Sequence, residues 1–195
     1  GPLVVLVGAL FAWTAGGRYV STDNAWPYRV CGGQQESGSA GVASRGNDGQ
    51  ITFREWHPVG VEEYGYVAPD PLHPNLIYGG KATKFDWNTG DVQDIQLDLA
   101  RSGKYRFLRT APIQFSPVDP HILYLASQIL LKTADGGKSW AEISPDLTRK
   151  SYQIPESFGI FTNYDPDAAK HKGVIYSLGL SKLDVNLIWA GTDDG

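Results

Sequence analysis

The side chains able to do chemistry gather in a few polar stretches of this 195-residue chain. Gln34, Gln35 and Glu36 run into Ser37-Gly38-Ser39, and adjacent carboxylates stand at Glu62 and Glu63 just before Tyr64. Arg29, Arg106 and Arg109 interrupt otherwise aromatic or apolar segments. Neutral amides and hydroxyls suit recognition of a polar ligand, or simply the hydrogen bonding of a loop. Two carboxylates flanking a glycosidic bond suit acid and base catalysis on a sugar. Neighbours on a strand point to opposite faces, however, so Glu62 and Glu63 meet one substrate only if the backbone bulges between them. The plainer reading is a solvated pair where a strand begins. Arg109 sits inside an apolar run expected to be a strand, where it either lines an inner channel or pairs with a carboxylate of a neighbouring unit.

Other chemistries find no residues to carry them. The four histidines His57, His73, His121 and His171 are far apart, and no His-x-x-x-His or Cys-x-x-Cys spacing is present, so no metal and no cofactor are expected. Asn47-Asp48-Gly49 and Thr192-Asp193-Asp194-Gly195 lack the alternating oxygen ligands of a calcium loop and read as turns. No Gly-rich stretch ends in the Gly-Lys-Ser/Thr of a phosphate loop. The lone Cys31 excludes an internal disulfide and reads as a small buried thiol on a strand from Tyr28 to Gly32. A net charge of -4 argues against a nucleic-acid surface. Aromatic residues at 12%, with 23 Gly and 12 Pro, describe a β-rich globular chain with many turns. Leu3 to Trp13 is an apolar run too short for the ~20 residues of a membrane span, and residues 1–17 stay unassigned: a buried strand or helix, or the remnant of a signal or anchor.

The elements that must position these residues announce themselves at Thr133 to Trp140, which spell Ser/Thr-x-Asp-x-Gly-x-x-Trp between the apolar run Ile129-Leu130-Leu131 and an alternating one. This is the pattern of a β-hairpin turn. Asp135 can accept the amides of the turn, Gly137 can take the positive φ it needs, and Trp140 can cover the apolar underside of the hairpin. The segment Asp70 to Gly79 is echoed about 49 residues on by Asp119 to Leu125, and again by Asp184 to Gly191. That offset is near the ~40–50 residues of a propeller repeat. The turn signals then divide the chain into about three and a half four-stranded antiparallel units. The first has strands at Tyr28–Gly32, Gly41–Ser44 and Ile51–Trp56; the second runs from Tyr64–Ala68 through Leu76–Tyr78 and Ala82–Trp87 to Ile95. The third holds Phe107–Phe115, Ile122–Ala126, Ile129–Thr133 and Trp140–Ile143, and the fourth begins with Val174–Leu178 and Leu187–Ala190.

The hairpin motif resembles the Asp-box, or bacterial neuraminidase repeat, of β-propellers, with Thr133, Asp135, Gly137 and Trp140 as its structural residues. Over roughly Arg18 to Gly195 the phrases Tyr28-Arg29-Val30-Cys31-Gly32-Gly33-Gln34-Gln35, Ile143-Ser144-Pro145-Asp146-Leu147-Thr148 and Leu187-Ile188-Trp189-Ala190-Gly191-Thr192-Asp193-Asp194-Gly195 look like the large bacterial proteins called sortilin-like or glycosyl-hydrolase-like. The resemblance implies an all-β fold, a partial β-propeller over 18–195 that is open at its C-terminal end. Because closure takes typically ~4–8 blades, the chain is expected to be a fragment whose missing blades are partners of the same chain.

Strand alternation sorts the loops. Connections between first and second strands, and between third and fourth, share one rim and read as tight structural turns. The opposite rim receives Gln34, Gln35, Glu36, His57, Glu62, Glu63, Lys81, Gln128 and the segment from Arg149 to Lys172, with Tyr64 and Tyr66 on the adjoining inner strand. That rim is the expected binding face for a protein segment or a glycan, with Gln34, Gln35, Glu36, His57, Glu62, Glu63, Tyr64 and Arg109 as its candidate residues. The expected function is a non-catalytic binding module, extracellular or in the cell envelope. The alternative is a glycoside hydrolase, exo- or endo-acting, whose carboxylates lie partly in missing blades; none of the arginines stands in the Phe/Tyr-Arg-Ile-Pro context of a sialidase.

Overall fold

The computed structural model describes residues 19–34, 38–63, 65–150 and 173–194. Within them the chain is all-β apart from a 3-10 turn at Phe53–Glu55 and one short helix, α1 (Leu97–Arg101). Four antiparallel sheets follow one another, each built from one contiguous stretch with its strands in chain order. The first is β1 (Val20–Thr22), β2 (Arg29–Gln34), β3 (Gly38–Ala43) and β4 (Trp56–Pro58). The second is β5 (Val67–Pro69), β6 (Leu76–Gly79), β7 (Thr83–Asp86) and β8 (Val92–Asp94), and the third β9 (Ile113–Phe115), β10 (Leu123–Ala126), β11 (Leu130–Thr133) and β12 (Ala141–Glu142). The fourth has two strands, β13 (Ile175–Leu180) and β14 (Ile188–Thr192). No helix among the described residues is long and apolar enough to cross a membrane.

A single backbone device repeats in all four sheets and sets their phase. The amides of Asp23, Asp70, Ser116 and Ser181 donate to the carbonyls of Arg29, Leu76, Ile122 and Leu187, six residues on in every case. Each of these four residues also turns a side-chain oxygen back onto the loop it opens: Asp23 Oδ1 accepts from the Ala25 amide, Asp70 Oδ1 from Leu72 and His73, Ser116 Oγ from Val118 and Asp119, and Ser181 Oγ from Leu183 and Asp184. This is Asx and Ser/Thr turn chemistry, which satisfies amides that no strand can reach. It aligns Asp70 with Ser116 rather than with Asp119, so the first repeat offset is 46 residues, not about 49. Similar Asp-Pro pairs had suggested the longer offset, but the hydrogen bonds follow position within the loop rather than residue type. On this alignment Cys31, Tyr78, Tyr124 and Trp189 are equivalent, each on the second strand of its own sheet.

The sheets pack face to face, which is why their central strands read as nearly continuous apolar runs rather than as alternating ones. Ile77 and Phe85 meet Cys31, Val59 and Val67 between the first and second sheets. Tyr78 and Ile95 meet Leu123, Leu125 and Leu131 between the second and third. Tyr124 and Leu130 meet Ile175, Ile188 and Ala190 between the third and fourth. Neighbours on a strand therefore serve opposite interfaces, as the two-residue pleat requires. First strands also touch, β1 against β5 and β5 against β9, and Ser21 Oγ donates to the Val67 carbonyl across that junction.

Several expected boundaries move, each for a local reason. The stretch Ile51–Trp56, expected as a fourth strand, is the 3-10 turn followed by β4, because Thr52 and Glu55 form a capping box that curls the backbone. His57 accordingly lies on β4, opposite Gly41, and not in a connection. The strand expected over Phe107–Phe115 is confined to Ile113–Phe115. Ahead of it the Arg106 amide donates to Gln128 Oε1 (2.7 Å) and the Ala111 amide to the Leu108 carbonyl, which leaves Arg109 in a turn instead of a strand. Tyr66 precedes β5 rather than lying on it, Trp140 precedes β12, and β1 and α1 had no counterpart in the expected layout.

Candidate functional site

The connections β2–β3, β6–β7, β4–β5 and β8–β9 converge on one rim. The β4–β5 connection is fastened to it from below. Ser39 of β3 accepts the Val59 amide at its carbonyl (3.0 Å), and its buried hydroxyl donates to the carbonyls of Val59 and Val61. Beyond that anchor the Glu62-Glu63 backbone lies against two glycines. A Cβ on Gly33 would stand 3.1 Å from the Glu63 carbonyl oxygen, and one on Gly80 only 2.7 Å from the Glu62 amide. Close approach of two backbones requires glycine at Gly33, and at Gly80 it adds to the positive φ of 58° that the turn already imposes.

The two carboxylates so positioned diverge. Glu62 Oε1 lies 3.3 Å from Lys81 Nζ, within the second sheet's own turn. Glu63 Oε1 accepts from Arg109 Nη2 at 2.6 Å, and so bridges the second sheet to the start of the third. Of the two roles open to Arg109, pairing with the carboxylate of a neighbouring unit is thus the one the structure contains. Both pairs are partly solvated, so they orient side chains on the rim more than they stabilise the fold.

Beside them, rings from two sheets stack. Tyr19, just before β1, lies on Tyr66, just before β5, with centroids 3.6 Å apart and planes 18° from parallel. Burial pushes the Tyr66 phenol well above its ordinary range, and the Tyr19 hydroxyl and the nearby Tyr176 phenol reinforce this. Tyr66 is therefore a neutral phenol at physiological pH. Tyr176 belongs to β13, at the point where the register against β14 slips between Ile175 and Ser177, and such bulges re-aim a side chain. Residues beside the first sheet and on the fourth thus bear on the ionisation of Tyr66. Sequence reasoning missed Tyr19 and Tyr176. A signal for Tyr19 was present, because Tyr19-Val20 precedes Asp23 by the same spacing that Tyr66-Val67 precedes Asp70; Tyr176 depends on the bulge and had none.

The remaining expected residues are distributed unevenly. Gln34 ends β2, opposite Gly38, at the same rim. Gln35, Glu36 and Tyr64 lie outside the described residues, as do residues 1–17 and nearly all of the segment 149–172. His57 faces Trp87 edge-on at 5.3 Å and lines a recess of about 380 Å³ with Phe85, Trp87 and Val92, so it belongs to the outer part of the first two sheets. A further cleft, of about 270 Å³, opens on the other rim between Asp70, His73, Tyr78, Lys84, His121 and Asp135. Its two aspartates already accept backbone amides of their own turns. Among the described residues no three His, Cys, Asp or Glu side chains converge into a metal-holding group.

The residues of the Thr133 to Trp140 turn act as the turn chemistry requires. Asp135 Oδ1 accepts from the amides of Lys138 and Ser139, both at 3.0 Å, while Oδ2 accepts from the Ser139 hydroxyl at 2.6 Å. Thr133 Oγ1 donates to Asp135 and accepts the Gly137 amide, and Gly137 has a φ of 88°. Trp140 differs from expectation: instead of only covering its own hairpin, its indole donates to the Ile95 carbonyl of the preceding sheet (2.9 Å). Compared with protein-family models, curated proteins and solved structures, the chain matches none.

Proposed function

We propose that this chain is a non-catalytic binding module of Asp-box propeller type, carried by an extracellular or envelope protein, which holds a protein segment or a glycan on the rim of Gln34, Glu63, Tyr66 and Arg109. The observation that carries this reading is the division of the two carboxylates. Each already has its own cation, Lys81 for Glu62 and Arg109 for Glu63, a partnering that favours positioning over paired acid and base work on a glycosidic bond. What the rim offers instead is a set of paired charges, an amide and the partly exposed Tyr19, held in place by the buried Tyr66 beneath it, which suit hydrogen bonding and an aromatic contact to a sugar or an extended peptide.

Glycan and peptide arrays probed with the full chain, followed by titration of the best hit, test the reading. Glu63→Gln and Arg109→Gln should each weaken binding about tenfold while leaving the melting temperature nearly unchanged, because solvated ion pairs contribute little to stability. Hydrolysis of a glycoside panel that disappears in Glu62→Gln or Glu63→Gln would overturn it in favour of a hydrolase.

A further inference from the structure

Between the second and third sheets, on the rim of the Thr133 to Trp140 turn, lies a recess of about 420 Å³ that is separate from the site above. Both flanking sheets have four strands, and every residue lining the recess is among those described. Strand register builds its floor. Tyr78 of β6 stands opposite Lys84 of β7, and Lys84 opposite Gln93 of β8, so the three share one face of the second sheet. Tyr78 packs toward the third sheet, and Lys84 and Gln93 accordingly meet Gly136, Lys138 and Ser139 of the facing turn. Gln96, between β8 and α1, adds a second amide, and the Trp140 ring, held by its bond to the Ile95 carbonyl, adds an aromatic surface. Two buried polar groups at this seam lack partners. Gln96 is 9% exposed, yet its side-chain amide makes no hydrogen bond among the described residues. The hydroxyl of Tyr78, a residue 2% exposed, makes none either; it opens into the adjoining cleft of about 270 Å³, 3.1 Å from where a Cβ on Gly136 would stand. Lys84 lines both spaces, and neither it nor Lys138 forms an ion pair among the described residues. A buried amide or hydroxyl without a partner costs free energy that a bound hydrogen-bonding molecule recovers.

We propose that this recess is a second binding site and that it takes a neutral sugar. The charges that line it select that class. Lys84 and Lys138 repel a cation, while Asp94 and Asp98 on the same lining repel an anion such as phosphate. An uncharged polyol satisfies both signs, because a hydroxyl donates to a carboxylate and accepts from an ammonium group. The amides of Gln93 and Gln96 offer the same two-way hydrogen bonding, and the apolar face of a pyranose ring suits the Trp140 indole. The volume is that of a small-ligand site. Because the third-to-fourth strand turns and the second-to-third connections emerge at opposite ends of the strands, this site and the rim of Glu63 and Arg109 bind independently.

The probes are the methyl glycosides of glucose, galactose, mannose and N-acetylglucosamine, titrated at millimolar concentration into the isotope-labelled full chain and followed by NMR chemical shifts. At least one glycoside should give saturable shifts at the Gln96 side-chain amide, the Trp140 indole and the backbone amides of Lys138 and Ser139. Gln96→Ala and Lys84→Ala should each weaken that glycoside about fivefold, the loss expected for one hydrogen bond. Where a variant does not keep the native spectrum, the shifts of the unmutated chain decide the matter. No saturable shift with any of the four glycosides would overturn the proposal, as would shifts confined to other residues, those of Gly33, Gln34 and Glu63 on the opposite rim included. Displacement of the sugar by an equal concentration of inorganic phosphate or glycine would assign the recess to a charged ligand instead, and unchanged affinity in both variants would remove the sugar from it.

Discussion

The indole of Trp140 donates to the carbonyl of Ile95 across 45 residues of sequence, and thereby ties the Thr133 to Trp140 turn of the third sheet to the end of the second. Ile95 is held from its other side as well, since its amide donates to the Ala82 carbonyl at 3.0 Å. The motif is thus a clasp between sheets as well as a turn within one. Trp140→Phe keeps most of the ring contact and loses the hydrogen bond, at a cost of about 1 kcal/mol. Trp140→Ala removes a partly buried ring too, for about 3 kcal/mol. Urea denaturation of the two variants should show that ordering, and equal losses would remove the hydrogen bond from the account.

Gly137 is constrained twice. Its φ of 88° suits only glycine, and a Cβ there would stand 2.8 Å from Ile95 Cβ and Cδ1. Gly137→Ala is expected to destabilise by more than about 1 kcal/mol. Gly90, with a φ of 77° but open space around it, should lose less on the same change. Equal effects at the two sites, measured by chemical denaturation, would mean that the contact with Ile95 is unimportant.

Asp135 should shape the acid limb of stability. The Ser139 hydroxyl first, then the Ser139 amide and the Thr133 hydroxyl, hold its carboxyl far below the ordinary carboxylate range. A depressed folded-state pKa contributes stability that is complete above the unfolded value of about 3.9 and disappears as pH falls through the folded one. Melting temperatures followed from pH 7 downward should therefore show Asp135→Asn below the unmutated chain at neutral pH, with the two curves converging below about pH 4. Curves that stay parallel would exclude a role for the charge.

Cys31 should be unreactive in the folded chain. Burial, and secondarily the Asp23 carboxylate, push its thiol up to about 12, with Arg29 only partly opposing them. Because the folded pKa is raised, the associated stability is intact below the ordinary thiol value of about 8.5 and declines as pH climbs from there toward 12. Iodoacetamide at neutral pH should modify the thiol only in urea. Rapid labelling without denaturant would show that the strand pair around Cys31 opens readily.

What could be read from the sequence is the set of features that close within a few residues. The Thr133 to Trp140 turn was legible in detail because its hydrogen bonds span two to four positions, so residue type alone determines which oxygen meets which amide. The second and third strands of the four-stranded sheets were legible because apolar runs bounded by Asp, Pro and Gly leave few other conformations. Local competition was harder to see: the capping box at Thr52 and Glu55 turned an expected strand into a 3-10 turn, and Gln128 held Arg106 out of the strand that would have contained Arg109.

The rest was decided only in three dimensions. The sequence by itself established an all-β chain built from repeated units, and it placed Glu62, Glu63 and Arg109 among the residues to watch. It left Arg109 with two possible roles, because its partner Glu63 lies 46 residues away in another sheet. The stack of Tyr19 on Tyr66 and the true phase of the repeats depend likewise on how one sheet faces the next. Such contacts carry no short-range signature, since they arise from packing between surfaces that lie far apart in the sequence.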